Sequence, residues 1–384
     1  MKSICIISNR YPNVLTPTRQ VFVQKLVWAM ADLGVECTVI CPIPINQYFN
    51  FYKLPVESVE TTPNGSTIKL YFPRYVSAGQ RKVLWFNTAN LTTSMFTSAV
   101  KRVFKKLVIK PETVYGHFFS PAGICAARIG RMFGIPAFAA YGESTPWSIL
   151  NIGVSRIKKD LCTLAGVVSV SSANKRTLIE LDVIPCEKIS VFPNGFQEEI
   201  FYPRNKVDAR NKFGFDRDAF IVSFVGQFNE RKGVMRLAAA ANGLKDVKVA
   251  FAGKGDLVPE NENCIFKKAI APTDIPDFLS ASDIFVLPTL NEGCSNAIVE
   301  AMACGLPVVS SDLDFNRDIL DNGNAMLIDP KNIEEIRSAI EILKDDSALL
   351  EQKRQKTLER IKSLTVRNRA EQIRNWIVER TLIK

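Results

Sequence analysis

The sequence predicts an α/β protein built of two doubly wound sheets, and three observations carry that expectation. Short apolar strands alternate with amphipathic helices along most of the chain, the pattern of parallel sheets covered by helices on both faces. The alternation breaks once, after FYPRNK (201–206), and then begins again. The 384 residues, 47% of them hydrophobic, are enough for two cores of ordinary domain size.

In the first series, KSICIIS (2–8) reads as a buried strand, FVQKLVWAMADLG (22–34) as an amphipathic helix closed by Gly34, and ECTVICP (36–42) as the next strand, so the chain opens as βαβ. SMFTSAVKRVFKKLVIK (94–110) reads as a helix: Phe96, Val100, Val103, Phe104 and Leu107 recur at helical spacing, while Lys101, Arg102, Lys105 and Lys106 occupy the other side and Lys110 follows. Two readings of it stand side by side, a core-facing helix with a solvated face and a helix lying on a membrane surface. ETVYGHF (112–118), AGICAARIGRMFG (122–134), IPAFAAYG (135–142), GVVSVSS (166–172) and ISVFPNG (189–195) continue the alternation. The second series runs through AFIVSFVG (219–226), GVMRLAAAANG (233–243), VKVAFAG (247–253), IPDFLSAS (275–282), DIFVLPT (283–289), NAIVEAMACG (296–305) and LPVVSS (306–311). Two amphipathic helices, 332–346 and 370–383, close the chain and could pack across both domains. The expected domains are 1–198 and 199–365, with a last helix at 366–384 packing back on the first.

Composition removes several classes. No run approaches 18 apolar residues, and the opening MKSICIISNRYPN meets Asn9, Arg10 and Pro12 after its apolar positions, unlike a signal peptide, so a cytoplasmic location is expected. The nine cysteines, among them Cys5, Cys37, Cys125, Cys162 and Cys304, lie in apolar segments without paired zinc spacing and read as buried free thiols. The formal charge of +10 is unevenly shared, since residues 1–195 carry 22 Lys and Arg against 10 Asp and Glu while 196–384 carry 27 against 29. Such a basic half suits nucleic acid, an anionic membrane surface or a phosphate-bearing substrate. Nucleic-acid binding calls for aromatic residues on a basic face or for a reading motif, and the sequence shows neither, so no nucleic acid partner is expected.

NEGCSNAIVEAMACGLPVV (291–309) carries the chemistry. Glu300 stands among Ile298, Val299, Ala301 and Met302, where a charge is costly unless it is partnered. Ser295 or Asn296 reads as an N-cap and Gly305 as a C-cap. Glu292 and Gly293 then lie in the loop at the carboxyl end of a strand, ahead of a helix start whose free amides attract phosphate. Glu300, about one turn in, could accept from ligand hydroxyls, or could pair with a basic residue of its own domain. The arrangement suggests a nucleotide with a sugar at both ends. VGQFNERKG (225–233) also joins a strand to a helix: Gly226 lets backbone approach a phosphate, and Arg231 or Lys232 offers charge to a departing diphosphate, unless both are merely solvated. FAGKGD (251–256) lacks the third glycine of a dinucleotide fingerprint and is expected at a nucleotide base instead. His117, the single histidine, falls at the end of a strand and reads either as a satisfied core residue or as a site residue.

The chain resembles the retaining glycosyltransferases of family 4, whose GT-B fold sets two doubly wound Rossmann-like domains about a central cleft. The resemblance rests on NEGCSNAIVEAMACGLPVV, VGQFNERKG, VFPNGFQEEIFYP (191–203) and GHFFSPAG (116–123), four motifs in the family's order. It implies a nucleoside diphosphate sugar donor, with Glu292 on the donor sugar, Glu300 on the ribose, the amides of Gly293, Cys294, Ser295 and Asn296 at the diphosphate, and His117 near the anomeric carbon. Lys232 carries over, while the usual arginine after the first glycine is Gln227 here, with Arg231 a possible substitute. Where other members show His-Gly, this chain has Tyr141, and Glu143 adds a carboxylate; acceptor recognition is the role expected of both. NRYPNVLTPTRQ (9–20) lacks the family's glycines. The resemblance further implies no metal and no cofactor, although Asp312-Leu313-Asp314 is similar to the acid pair of the other glycosyltransferase fold. The expected activity is transfer to a lipid-linked or polysaccharide acceptor of a cell-surface glycan such as capsule, O-antigen or exopolysaccharide, at the inner face of the cell membrane. The alternatives are a catalytically idle sugar-nucleotide-binding subunit and an epimerase of the same fold.

Overall fold

The computed structural model describes residues 1–83 and 86–382, so the expected helix end at Ile383 lies outside the described residues. The chain divides into two compact units, Met1–Phe192 with Val366–Lys384, and Pro193–Thr365. The expected boundary at 198 falls inside the second unit. Phe196 bridges Thr365 and donates its N–H to Leu364 O (3.0 Å), while Asn194 bonds the turn at 294–296, so 193–198 is tied to the second unit before the next helix begins.

The first unit's sheet comprises β1 (Ser3–Ser8), β2 (Glu36–Ile40), β3 (Glu57–Thr61), β4 (Thr67–Tyr71), β5 (Thr113–His117), β6 (Ala137–Tyr141), β7 (Gly166–Ser169) and β8 (Ile189–Val191). Their spatial order is β8-β7-β6-β5-β1-β2-β4-β3, parallel throughout except for the β3–β4 pair. Side chains alternate across a pleated strand. Ile4 and Ile6 therefore meet α1 (Val21–Asp32) on one face, while Cys5 and Ile7 meet α2 (Thr88–Lys106) and α3 (Ile124–Phe133) on the other. Both faces are covered, which is why β1 is nearly all apolar.

Helix α2 settles the open reading of 94–110. Phe96, Val100, Val103 and Phe104 are buried in the core, with Phe96 against Tyr75 (5.6 Å between rings) and Phe104 against Phe133 (4.8 Å). The apolar stripe is therefore not a membrane face, and the helix stops at Lys106, leaving Val108 and Ile109 exposed beyond it. Of the nine thiols read as buried, Cys162 and Cys186 are instead exposed and Cys264 and Cys294 half-buried; Cys162 follows Leu161 at the end of a short helix whose buried side is made by Ile157 and Leu161.

The remaining helices of the first unit are α4 (Trp147–Ile152), α5 (Val154–Leu161) and α6 (Ser172–Glu180). The second unit supplies α7 (Lys206–Phe213) to α12 (Ser347–Ile361), including α8 (Val234–Ala241), α9 (Ile275–Ser280), α10 (Asn296–Ala303) and α11 (Ile333–Asp345). Helix α13 (Val366–Leu382) returns to the first unit, where Ala370, Ile373 and Ile377 join the core beside α1. Trp376 lies on Gly166, packing edge-on to Phe138 (5.5 Å). A Cβ at Gly166 would come within 2.4 Å of the indole, so β7 must have glycine there.

The second unit's sheet comprises β9 (Phe220–Gln227), β10 (Val247–Lys254), β11 (Cys264–Lys268), β12 (Ile284–Leu287), β13 (Val308–Ser311) and β14 (Ala325–Ile328), all parallel in the order β11-β10-β9-β12-β13-β14. In each unit the winding reverses beside the first strand, between β1 and β5 and between β9 and β12. Helices on either side diverge at such a reversal and leave a crevice at the carboxyl ends of the strands, the place where ligands bind in open α/β sheets.

Gly166→Ala should lower stability by about 1–3 kcal/mol through overpacking against the indole. In a Trp376→Leu background the same substitution should cost much less, and urea unfolding of the four chains of that double-mutant cycle measures the coupling.

Candidate functional site

At the second unit's reversal, two loops are fixed against each other by their backbones. Gly233, the N-cap of α8, has φ +78° and sits where a Cβ would meet Pro288 O at 2.3 Å. Leu290 N–H donates to Arg231 O (2.8 Å) and Arg236 Nη2 to Pro288 O (2.9 Å). The loop after β9 is thereby pressed onto the loop after β12.

That contact brings three of the sequence-predicted residues to one atom. Glu292 Oε1 accepts from Arg231 Nη1 (2.7 Å) and pairs with Lys232 Nζ (2.6 Å), and the Thr289 hydroxyl is 3.1 Å away. Arg231 Nη1 also donates to Asn291 O (2.7 Å). The Glu292 and Lys232 side chains are only 11% and 12% exposed, and Arg231 35%. A carboxylate so withdrawn from water needs such partners. The cluster still holds two cations against one anion, an excess suited to phosphate. Gly226 borders it, a Cβ there lying 3.6 Å from the Lys232 stem.

Helix α10 opens beside this loop. Ser295 is its N-cap but makes no side-chain cap, and its buried Oγ has no partner among the described residues. Asn205 and Asn332, by contrast, cap α7 and α11 with their side chains. The first amides of α10 are thus left open, as at an anion site. Asn194 holds the preceding turn, donating Nδ2 to Cys294 O (3.2 Å) and Asn296 Oδ1 (2.8 Å), with its own N–H on Cys294 Sγ (3.4 Å). Gly293 is buried behind it. One turn on, burial pushes the Glu300 carboxyl up to about 7, against the pull of the Lys232 charge. Glu300 is thus poised to change protonation when a ligand or cation approaches.

In the first unit, Ser8 and His117 are register partners at the β1–β5 reversal. The His117 ring packs on Phe118 (4.9 Å) and Phe22 (5.6 Å), and its Nδ1 has no partner among the described residues. Burial, reinforced by the Arg369 charge, pushes it down to about 3, so the imidazole is neutral at ordinary pH. Tyr141 is fully buried against Phe119 (4.8 Å). Glu143 accepts from Ser148 N–H at the start of α4 (3.1 Å), and its carbonyl takes Asn174 Nδ2 (2.8 Å), so its contacts are those of a local brace. Asp312 pairs with Arg317, and among the described residues no three His, Cys, Asp or Glu side chains converge.

Sequence reasoning missed Asn194, Thr289 and Gly233. All three lie in quoted segments, PNG after β8, LPT after β12 and the end of VGQFNERKG, but only the fold shows that they latch the acid-bearing loop.

Residues 205–362 match the family described as glycosyl transferases group 1, and residues 20–199 match glycosyltransferase family 4. A Bacillus subtilis glycosyltransferase provisionally assigned to teichuronic acid biosynthesis is 26% identical over 87% of both chains. An Escherichia coli UDP-Gal:α-D-GlcNAc-diphosphoundecaprenol α-1,3-galactosyltransferase is 31% identical over 62% of this chain and 68% of its own. Sucrose-phosphate synthase of Thermosynechococcus elongatus shares the fold, with TM-score 0.78 over all of both chains at 18% identity.

The buried imidazole makes stability pH-dependent. Its folded value of about 3 lies below the ordinary 6.5, so the unfolded chain takes up a proton first as pH falls. The stability is fully present above 6.5 and is lost from there toward 3, by about 2 kcal/mol at pH 5. His117→Asn should remove that share of the slope in urea unfolding between pH 7 and 5.

Proposed function

Because the chain belongs to the family 4 glycosyltransferases, we propose that it moves a sugar from a nucleoside diphosphate donor to a lipid-linked or polysaccharide acceptor of a cell-surface glycan, retaining anomeric configuration and needing no metal. The supporting observation is the Glu292 oxygen shared by Arg231 and Lys232 beside the uncapped start of α10. Charge develops on the leaving diphosphate in the transition state, and preorganised cations and amides in a site withdrawn from water stabilise it most there. Arg231 stands in for the arginine that Gln227 replaces. Glu292 neutralises part of the cation pair until the donor arrives and then accepts from the donor sugar's hydroxyls. Glu300, ionised as Lys232 and the ligand favour it, accepts from the ribose. The acceptor hydroxyl attacks from the face the diphosphate leaves, its proton passing to the departing phosphate oxygen, so no side chain serves as general base. His117, neutral, serves as a hydrogen-bonding group near the anomeric carbon. The E. coli relative's diphosphoundecaprenol-linked acceptor and the B. subtilis relative's provisional assignment to teichuronic acid biosynthesis support the acceptor class.

Acceptors of that kind live at a bilayer, and the first unit carries 27 Lys and Arg against 12 Asp and Glu, the second 22 against 27. Among the described residues no helix is long and apolar enough to cross a membrane. The docking element we assign is the tip beyond α2, where Val108 (99% exposed) and Ile109 (78%) lie between Lys105, Lys106 and Lys110. Each basic residue near anionic lipid contributes about 1 kcal/mol.

Lys232→Ala should lower turnover roughly a hundredfold or more, with activity unaffected by chelator. A strict metal requirement, or full turnover in the variant, overturns the mechanism. Liposome sedimentation should show salt-sensitive binding that needs anionic lipid and falls in a chain carrying Val108→Ser and Ile109→Ser with the three flanking lysines changed to Gln. Equal sedimentation of both chains removes the tip from the membrane contact.

A further inference from the structure

The first unit holds a cavity of about 360 Å³, inside the range of roughly 300–1,000 Å³ usual for small-molecule sites. It opens at that unit's own reversal: Asn9 and Arg10 leave β1, Ser120 and Pro121 follow β5, and Gln47 and Tyr48 close it from the turn after β2. Neither Tyr141 nor Glu143 lines it. Its walls are built from the segment 9–20 that lacks the family's glycines. That segment is braced rather than loose. The Tyr11 hydroxyl donates to Glu60 Oε2 (2.6 Å), Gln24 donates to the same carboxylate, and Asn9 Nδ2 donates to Ser120 O (2.9 Å), joining the two strand ends.

The lining has a definite chemistry. Among the described residues it contains side-chain amides and hydroxyls in number, one cation, that of Arg10, and no carboxylate. The Arg10 charge reaches the Tyr75 phenol and Cys41 thiol, both lining groups. Two buried polar atoms here, Asn9 Oδ1 and Ser120 Oγ, have no partner among the described residues. Buried polar atoms are almost always partnered, so two such atoms in one cavity call for a ligand with hydroxyls. Three exposed apolar residues, Val14, Phe49 and Val76, are each next in sequence to a lining residue.

Resting on the glycosyltransferase reading, we infer that this cavity is the acceptor site and that it takes a glycosyl phosphate, the sugar hydroxyls partnering Asn9 Oδ1 and Ser120 Oγ and the phosphate facing Arg10. An acid-free wall admits an anion, a guanidinium matches phosphate oxygens, and the amides read neutral hydroxyls. The phosphate belongs either to a sugar linked to lipid through diphosphate or to a soluble sugar phosphate. The apolar neighbours favour the first.

The test is ligand titration by saturation-transfer NMR on the full chain. Glucose, galactose and N-acetylglucosamine are each offered free, as the 1-phosphate and as a diphosphate joined to a short prenyl chain. At least one phosphorylated sugar should bind tenfold or more tightly than its free counterpart. Arg10→Gln should erase that preference and Arg10→Lys should keep part of it. Asn9→Ala with Ser120→Ala should weaken free and phosphorylated forms alike. A further gain with the prenyl form, lost in Phe49→Ser/Val76→Ser, marks the lipid source, and equal binding of the two phosphorylated forms marks the soluble one. No phosphate preference in any sugar, or a preference that survives Arg10→Gln, overturns the inference. Titration with UDP, GDP and ADP keeps the two readings apart. A chain that binds a nucleotide without preferring sugar phosphates loses only this acceptor assignment, and one that binds no nucleotide loses the donor reading.

Discussion

Glu292 is the constraint around which the second unit's site is arranged. A carboxylate that is about nine-tenths withdrawn from water must be met by donors, and the donors come from a different loop. For Arg231 and Lys232 to reach it, the loop after β9 has to lie on the loop after β12, which requires a residue at 233 with no Cβ and a positive φ. The same contact fixes the start of α10, and the Asn194 latch fixes the turn just before it. Removing the acid would leave two cations facing each other in a dry place, so the carboxylate shapes the site before any ligand enters it.

Much of this was legible in the sequence, because the information is local. Strands buried on both faces are written as short apolar runs, and helices as stripes, so most of the two series could be read directly, although the partly exposed strands β3, β4, β11 and β14 were not among the expected segments. The acid-loop and helix-start order at 291–309 likewise stands in contiguous residues. Three features were not legible for one shared reason, that partners distant in sequence decide them. The stripe of α2 fits a membrane as well as a core until Tyr75 and Phe133 are seen against it. Cys162 sits in an apolar neighbourhood but on the outside of its turn. The six residues after Phe192 look like the end of the first series, yet they are held by Leu364 and the 294–296 turn.

The two units are alike in topology and unlike in what their reversals offer. The second presents paired cations with acids between and beyond them. The first presents a neutral histidine, amides and one guanidinium. Glu292 is placed where its cation partners meet it, and among the described residues the cavity near β1 has no carboxylate in its wall. The division follows the ordinary logic of recognition, in which charge is placed against charge and amides against hydroxyls.

The return of α13 gives the chain an order of assembly. The second unit, Pro193–Thr365, is continuous, so all of it is synthesised before α13 is made. The first unit is interrupted: α1 lacks the cover of Ala370, Ile373 and Ile377, and Gly166 its indole, until α13 emerges. Although domains tend to finish in N-to-C order during synthesis, here the half that begins first is completed last. Its apolar face beside α1 stays open throughout translation of the other half, which makes that face the surface a chaperone would meet.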